Sequence, residues 1–195
     1  MEKKATSRDM QAAATKKRIY NSGVRLLNRH GYDNITVAQI AGKSNVSIGT
    51  FYHHFQSKFD LLVEVYRQGD EFFEERVPEL LRQHTICKER VIEYFALYAS
   101  LSVKNGIAMV RSLYQPTNQM FLSQGRAMQG MLTDILAQGQ EQKELTASVS
   151  PESITENLFI VARGVIFDWC LRNGGSDLIA KMQEIIAMQI CAYCI

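Results

Sequence analysis

The sequence has little proline and no long hydrophobic run. Its three prolines, Pro78, Pro116 and Pro151, leave long stretches in which nothing interrupts an α-helix. No uninterrupted apolar stretch approaches the ~20 residues of a membrane-spanning helix. The first ten residues, Met1 to Met10, also lack the apolar core of a signal peptide. We therefore expect a cytoplasmic protein with no membrane partner.

Alternation of apolar and polar residues, the pattern of a half-buried strand, is also lacking over any useful length. The chain has 195 residues, of which 46% are hydrophobic, so it is long enough to bury a core. These features predict an all-α fold of about nine helices. We place an N-terminal three-helix head at residues 1–58 and a larger helical body at residues 59–195.

Recognisable catalytic motifs are missing as well. There is no Ser/His/Asp grouping, phosphate loop, HExxH sequence or spaced carboxylate pair. We therefore expect neither an enzyme nor a cofactor. His53 and His54 are adjacent on a predicted helix and do not face one another, so no metal site is expected there. Cys191 and Cys194 form a CxxC pair without a second pair or a nearby histidine, which favours structural or incidental thiols over metal or redox sensing.

The charge is divided unevenly along the chain. Residues 1–58 contain ten Lys and Arg against three Asp and Glu, a net charge of +7, whereas residues 59–195 carry a net charge of −5. Clustered cations favour a polyanion by counterion release, and the acidic part repels it. A nucleic acid held by the head alone is the expected partner.

Residues 36–55 have the pattern of two short helices joined by a tight turn. Thr36 with Gln39 predicts a capping box at the start of one helix, and Ser47 predicts the cap of the next. Asn45 lies in the turn, where its tolerance of positive φ is useful. Phe51 recurs at Phe55, four positions later, so both face a small core. This is the pattern of a DNA-binding helix-turn-helix.

The outer face of the second short helix is small and polar, which suits a recognition helix in the major groove. Gly49 allows close approach, Thr50 offers a hydroxyl and a methyl group, and Ile48 either packs inward or touches a base. Helix N-termini and basic side chains favour phosphates. The candidate DNA-binding residues are Thr36, Ser47, Ile48, Gly49, Thr50, Tyr52, His53 and Lys58.

Residues 15–66 resemble the TetR/AcrR family of bacterial repressors. The matching runs include Gly31-Tyr32, Thr36-Val37, Ile40-Ala41, Val46-Ser47, Gly49-Thr50-Phe51-Tyr52, His54-Phe55, Ser57-Lys58 and Leu61-Leu62. The resemblance implies that the same eight candidate residues face DNA. Two residues depart from the family pattern: Asn45 replaces the usual glycine, and Phe59 stands where a charged residue is commoner.

The last two predicted helices are broadly apolar and carry more hydrophobic surface than one small body readily buries. The resemblance implies a four-helix interface between two copies of the chain. A homodimer would place two recognition helices about 34 Å apart, which predicts a palindromic operator in double-stranded DNA. The candidate dimerisation residues are Leu158, Val165, Trp169, Met182, Ile186 and Ile190.

Aromatic and methionine side chains recur through the body and are typical of an adaptable apolar ligand site. Arg163 lies on the same largely apolar helix as Phe159. It either pairs with Asp168 or Glu156, or binds an anionic ligand such as a fatty acid or an acyl thioester. The candidate ligand-binding residues are Phe95, Tyr98, Met109, Leu113, Met128, Phe159 and Arg163.

Together these features predict a homodimeric transcriptional repressor that a small hydrophobic effector releases from its operator. The proposed route is a population shift in which the fourth helix transmits the change from the body. Two alternatives stay open: an architectural DNA-binding protein without a ligand response, and a regulator that acts as an activator.

Overall fold

The computed structural model describes residues 6–115, 118–122 and 126–195. The described residues form nine α-helices, one short 3₁₀ helix and an isolated antiparallel bridge between Leu145 and Cys194. The prediction of an all-α fold is confirmed. The helices are α1 (Ser7–His30), α2 (Val37–Lys43), α3 (Ile48–His54), α4 (Asp60–Gln83), α5 (Cys87–Asn105), α6 (Ile107–Leu113), the 3₁₀ helix (Gln119–Leu122), α7 (Ala127–Glu141), α8 (Pro151–Leu171) and α9 (Leu178–Cys191).

The described chain divides into two compact units, one ending at Tyr66 and one spanning Arg67–Ile195. The division that we predicted at residues 58 and 59 falls a few residues earlier and stays a prediction. In the first unit, α1 packs on α2 and α2 packs on α3. Gly23 of α1 lies so close to α4 that a Cβ atom there would be 2.7 Å from Cδ1 of Leu61. A side chain at position 23 would therefore require the end of the Leu61 side chain to shift.

In the second unit, α5 packs against α9, and α8 packs against both α7 and α9. Buried side chains from α4, α5, α7, α8 and α9 form one continuous hydrophobic core. Leu132, Leu158 and Met182 lie at its centre and are fully buried. The body therefore has a core of its own.

Two helices of the body receive their N-terminal caps from distant residues. Ile86 precedes α5 without a capping side chain, and the carboxylate of Glu144 accepts the backbone N–H of Cys87 at 2.6 Å instead. At α7 the backbone N–H of Met128 donates to Asp70 of α4 at 3.2 Å. A carboxylate at a helix N-terminus satisfies an unpaired N–H group and opposes the positive end of the helix dipole.

The described residues between α6 and α8 contain two helices. The structure has the 3₁₀ helix at Gln119–Leu122 and α7 at Ala127–Glu141, and residues 117 and 123–125 lie outside the described residues. In contrast, α4 continues through Pro78 to Gln83. No helix among the described residues is long and apolar enough to cross a membrane.

Candidate DNA-binding face and ligand site

The two helices of the helix-turn-helix begin as the sequence predicts. The Thr36 backbone N–H donates to the Gln39 side chain at 2.8 Å, and the Gln39 backbone N–H donates to the Thr36 hydroxyl at 3.2 Å. Ser47 caps α3 by accepting the backbone N–H of Thr50 at 3.0 Å. Asn45 in the turn has φ 53°, the left-handed conformation that asparagine tolerates. The angle between α2 and α3 is thus defined by local hydrogen bonds.

Hydrogen bonds to carbonyls of α2 stabilise the turn between the two helices. The buried Ser44 hydroxyl donates to the carbonyl of Ile40 at 2.6 Å, and the backbone N–H of Val46 donates to Ala41 at 3.0 Å. Beneath it, Phe51 is fully buried and its ring centroid lies 5.7 Å from that of Phe55. The inward face of α3 is therefore anchored by aromatic packing.

The outward face of α3 is available for a partner. Ile48 is 50% exposed and Tyr52 is 52% exposed, while His53 and Gly49 also lie at the surface. A Cβ atom at Gly49 would meet only the Ser47 hydroxyl oxygen, at 3.7 Å, so the packing of this unit does not require glycine there. A small residue at that position allows close approach from outside. Thr50 is half-buried, and its hydroxyl lies 2.8 Å from that of Ser47.

Lys58, for which we predicted a phosphate contact, also binds two backbone carbonyls of the head. Its ammonium donates to the backbone carbonyls of Tyr32 at 2.6 Å and Ile35 at 3.0 Å, and lies 4.2 Å from the centroid of the Tyr32 ring. An ammonium group has three donors, so one remains for a phosphate. Lys58 holds the segment that leads into α2.

His54, next to the exposed His53, lies partly inside. Burial lowers the pKa of His54, and the neighbouring His53 and Lys16 lower it further. The neutral imidazole is therefore favoured at this position. The exposed face carries its positive charge on other side chains.

In the body, an aromatic cluster joins α5 to α8. The ring of Phe159 lies edge-on to Phe95 and to Tyr98, with centroid distances of 5.3 Å and 5.6 Å. The Tyr98 and Tyr114 hydroxyls are 3.4 Å apart, and the tilted rings of Tyr114 and Phe121 have centroids 4.8 Å apart. Edge-to-face pairs of this kind favour a defined arrangement of rings. The cluster is apolar with a hydroxyl pair at one side.

Two arginines lie beside this cluster. The Arg163 guanidinium lies over the Phe121 ring at 5.9 Å from its centroid. Burial raises the pKa of Tyr98, while the positive charges of Arg126 and Arg163 oppose that increase. Both guanidinium groups are thus within electrostatic range of the Tyr98 hydroxyl. The arrangement combines buried aromatic rings with the Arg163 guanidinium over Phe121 and with Arg126, which is paired with Asp70.

Residues 19–65 of the chain match the family described as bacterial regulatory proteins, tetR family. This segment, which contains the helix-turn-helix, is of the TetR type. The fatty acid metabolism regulator protein of Bacillus subtilis (strain 168) is 22% identical over 182 residues, covering 88% of this chain and 92% of that protein. Members of the TetR family are non-enzymatic DNA-binding transcription factors, so this chain is a transcriptional regulator and not an enzyme.

Two solved TetR-family structures have the same fold. FadR from Bacillus subtilis in complex with stearoyl-CoA superposes with a TM-score of 0.75 and 20% identity, covering 89% of this chain and 97% of that one. FadR from Thermus thermophilus in complex with lauroyl-CoA gives a TM-score of 0.68 and 21% identity, covering 90% and 93%. At these identities the likeness shows the fold, with a DNA-binding head and a helical body.

Several residues that we predicted for the ligand site lie in the core. Met109 and Met128 are fully buried, Leu113 is nearly so, and the Tyr94 hydroxyl donates to the Met128 carbonyl. Phe95, Tyr98 and Phe159 meet in the aromatic cluster, with Arg163 near it. The ligand-site prediction therefore divides into side chains that meet at one place and side chains that fill the core around it.

Sequence reasoning missed Arg126. Its guanidinium forms an ion pair with Asp70 at 3.3 Å, and the two side chains are only 14% and 23% exposed. Asp70 is also the residue that accepts the Met128 backbone N–H at the start of α7. The local sequence does not indicate this ion pair, because 56 positions separate Asp70 from Arg126. An isolated arginine before an apolar helix was the available signal.

The predicted dimerisation residues point mostly into their own subunit. Five of the six are buried in the core of the body, and Val165 is half-buried. The apolar helices α8 and α9 instead expose neighbouring positions: Ile160, Phe167, Leu171 and Met188. Each helix is apolar around most of its circumference, so the sequence pattern did not distinguish the inward stripe from the outward one.

Asp168 is not the partner of Arg163. Its carboxylate instead accepts the Arg172 guanidinium at 2.8 Å, and this hydrogen bond lowers the pKa of Asp168. Both side chains line an open groove of about 500 Å³ beside the start of α9, together with Lys181 and Glu184, which also pair at 3.0 Å. The groove is charged and its ions are paired, unlike the aromatic cluster.

Proposed function

We propose that this TetR-type regulator is a homodimeric repressor that binds a palindromic operator. A long-chain acyl thioester bound in the body would lower its affinity for that operator. The regulator would act in the cytoplasm, where it meets chromosomal DNA. The observation that carries the proposal is the aromatic cluster of Phe95, Tyr98 and Phe159 with Arg126 and Arg163 beside it. An apolar surface next to cations suits an amphiphilic anion.

The two FadR structures support the class of ligand. One is described in complex with stearoyl-CoA and the other with lauroyl-CoA. An acyl thioester of coenzyme A joins an apolar chain to a phosphorylated head, which are the two chemistries that the aromatic cluster and the arginines complement. Charge-assisted bonds from guanidinium to phosphate would orient the ligand.

Arg163 is the side chain best placed to gain from such a ligand. Of the residues that the structure describes, none forms an ion pair with Arg163, and its guanidinium lies over the Phe121 ring. Arg126 is already paired with Asp70 of α4. An anionic head group would compete with Asp70 for Arg126, so ligand binding and the position of α4 would be linked within the body.

The DNA face is proposed to be the exposed end of α3. Ile48, Gly49 and Tyr52 would approach base edges. Thr50 would do so as well, with its side chain oriented by the hydrogen bond to the Ser47 hydroxyl. Thr36, Ser47, His53 and Lys58 would contact phosphates, the last through its remaining donor. Phosphate contacts fix the register and base contacts specify the sequence.

A second copy of the chain is proposed to cover the exposed apolar side chains of α8 and α9. Ile160, Phe167 and Leu171 lie on α8, and Met188 lies on α9. Burying them in a two-fold interface would remove apolar surface from water and set the spacing of the two recognition helices. The dimer contacts are thus expected at these four positions instead of at the buried residues next to them.

The operator test compares two isoleucines of equal exposure. Ile48 and Ile86 are each 50% exposed, but only Ile48 lies on the recognition helix. After operator selection from random-sequence DNA, we expect Ile48→Ala to weaken operator binding relative to bulk DNA, as measured by fluorescence anisotropy. Ile86→Ala should bind like the parent. Equal loss in both variants, or loss in neither, would contradict the assignment of this face.

The ligand test compares two arginines that each lie over a phenylalanine ring. Arg163 is 5.9 Å from the Phe121 centroid, and Arg76 is 5.8 Å from that of Phe72. We expect lauroyl-CoA or stearoyl-CoA to release operator DNA, whereas free coenzyme A does not. Arg163→Ala should weaken acyl-CoA binding roughly 10–100-fold in calorimetry, since a charged hydrogen bond is worth about 1.5–3 kcal/mol, and Arg76→Ala should not.

Two outcomes would count against the proposal. Acyl-CoA that binds the body without changing operator affinity would support a DNA-binding protein with no such response. Acyl-CoA that fails to bind at all would remove the ligand class. A promoter-reporter assay then separates repression from activation, because only a repressor lowers expression when the operator is occupied.

A further inference from the structure

Two exposed cysteines lie at the C-terminal end of α9. Cys191 is the last residue of the helix and Cys194 follows three positions later. The other two cysteines, Cys87 and Cys170, are buried. The chain therefore has one pair of thiols that reagents in solution can reach and one pair that they cannot.

The backbone already holds the exposed pair close together. The Cys194 backbone N–H donates to the Cys191 carbonyl at 3.3 Å, and the Tyr193 N–H donates to Ile190 at 3.0 Å. A turn closed by such a bond brings Cα atoms three positions apart to within about 7 Å. A disulfide joins Cα atoms about 4.4–6.8 Å apart, a range that overlaps with the separation in such a turn.

The segment around Cys194 is also held against the loop before α8. The Thr146 backbone N–H donates to the Tyr193 carbonyl at 2.8 Å, and the Ile195 N–H donates to Glu144 at 3.2 Å. These bonds form the isolated bridge that pairs Leu145 with Cys194. Backbone hydrogen bonds on either side of Cys194 thus hold its backbone in place, which favours a disulfide within this chain.

The four thiols differ in their surroundings. Burial raises the pKa of Cys87 to about 11 and, less strongly, raises that of Cys170, so both resist forming the reactive thiolate. Cys194 is hindered as well, because its sulfur donates to the Ile190 carbonyl at 3.5 Å and burial raises its pKa. Cys191 is exposed at the end of α9, and it is therefore the preferred nucleophile of the pair.

We propose that Cys191 and Cys194 form a reversible intramolecular disulfide when the protein reacts with hydrogen peroxide. The Cys191 thiolate attacks the peroxide oxygen, the O–O bond breaks, and a sulfenic acid forms on Cys191 while water leaves after taking up a proton. The Cys194 sulfur then attacks the sulfenic sulfur and a second water leaves. Two thiols are oxidised and one peroxide is reduced, and a dithiol reverses the bond.

The test exposes the full-length protein to hydrogen peroxide, alkylates the remaining thiols under denaturing conditions and maps them by mass spectrometry. The expected product has lost about 2 Da before alkylation, with Cys191 and Cys194 protected and Cys87 and Cys170 alkylated. Dithiothreitol should restore all four thiols. Because this readout needs neither DNA nor an acyl thioester, it stands or falls independently of the proposed repressor function.

Serine variants identify the order of steps. In Cys194→Ser the second step is blocked, so dimedone should label a sulfenic acid on Cys191. In Cys191→Ser the label on Cys194 should form at least tenfold more slowly. Cys170→Ser is the control and should oxidise like the parent. Disulfide-linked dimers on a non-reducing gel, or oxidation of Cys87 before the exposed pair, would overturn the proposal.

Discussion

Replacing Gly139 by alanine should destabilise the body measurably. Gly139 is buried in α7, and a Cβ atom there would lie 2.4 Å from the sulfur and 2.8 Å from the Cβ atom of Cys87. Cys87 has little freedom to retreat, since it is fully buried and Glu144 accepts its backbone N–H at 2.6 Å. The new methyl group must therefore displace the start of α5 or α7 itself.

The magnitude follows from two opposing effects. Overpacking a well-filled core costs about 1–3 kcal/mol. Alanine in place of glycine inside a helix returns roughly 0.5–1 kcal/mol. We expect a net loss of about 1–2 kcal/mol in the free energy of unfolding, which lowers Tm by roughly 2–8 °C in a protein of this size.

Gly130 provides the matched control in the same helix. It is exposed, and a Cβ atom there would meet nothing within 4 Å. Gly130→Ala should therefore stabilise the protein by roughly 0.5–1 kcal/mol. Far-UV circular dichroism during thermal and urea unfolding measures both variants. A Gly139→Ala protein as stable as Gly130→Ala would refute the close contact between α7 and Cys87, and Cys87→Ala should relieve part of the loss by removing the nearest atom.

Three further predictions concern polar groups. Lys58→Met keeps the aliphatic stem but loses two hydrogen bonds to loop carbonyls, so urea unfolding should show a loss of about 1–3 kcal/mol along with weaker DNA binding. His54, whose pKa is lowered on folding, contributes stability that is present above its usual value of about 6.5 and is lost as pH falls through the lowered value; His54→Gln should flatten that acid limb in urea titrations. Asp70→Asn retains an acceptor for the Met128 N–H but not the charge pair with Arg126, so thermal unfolding should rank parent above Asp70→Asn above Asp70→Ala.

The head could be predicted in detail because its signals are local. The capping box of Thr36 with Gln39 spans three positions, Ser47 caps the helix that follows it directly, and Asn45 adopts its own positive φ. Each of these preferences acts within a few residues of chain. A sequence pattern therefore contains nearly all the information that places α2 and α3.

The residues that cap α5 and α7 cannot be predicted from a local sequence pattern. Glu144 satisfies the first N–H of α5 from 57 positions away, and Asp70 reaches the start of α7 from 58. Neither carboxylate is next to the helix that it caps, so both helices lack a local start signal. Their positions depend on which elements pack together, which periodicity alone does not determine.

The faces of α8 and α9 illustrate the same limit. Leu158 and Phe167 are both large, apolar and on α8, yet the first is fully buried and the second is half exposed. A helix that is apolar nearly all round can present either stripe to its own core. The packing of α7 and α9 against α8 decides which stripe is left for a partner.

For Arg163 the sequence left open a pair with Asp168 or Glu156 and a contact with an anionic ligand, and the structure gives Asp168 another partner. Asp168, five positions away, is taken by Arg172, which lies at the favourable i, i+4 spacing on the exposed side of α8. Arg163 is left half-buried over the Phe121 ring, a contact worth about 0.5–2 kcal/mol. That is less than a charge-assisted hydrogen bond to an anion offers. An anionic head group arriving beside Tyr98 would therefore gain more from Arg163 than it would have to displace.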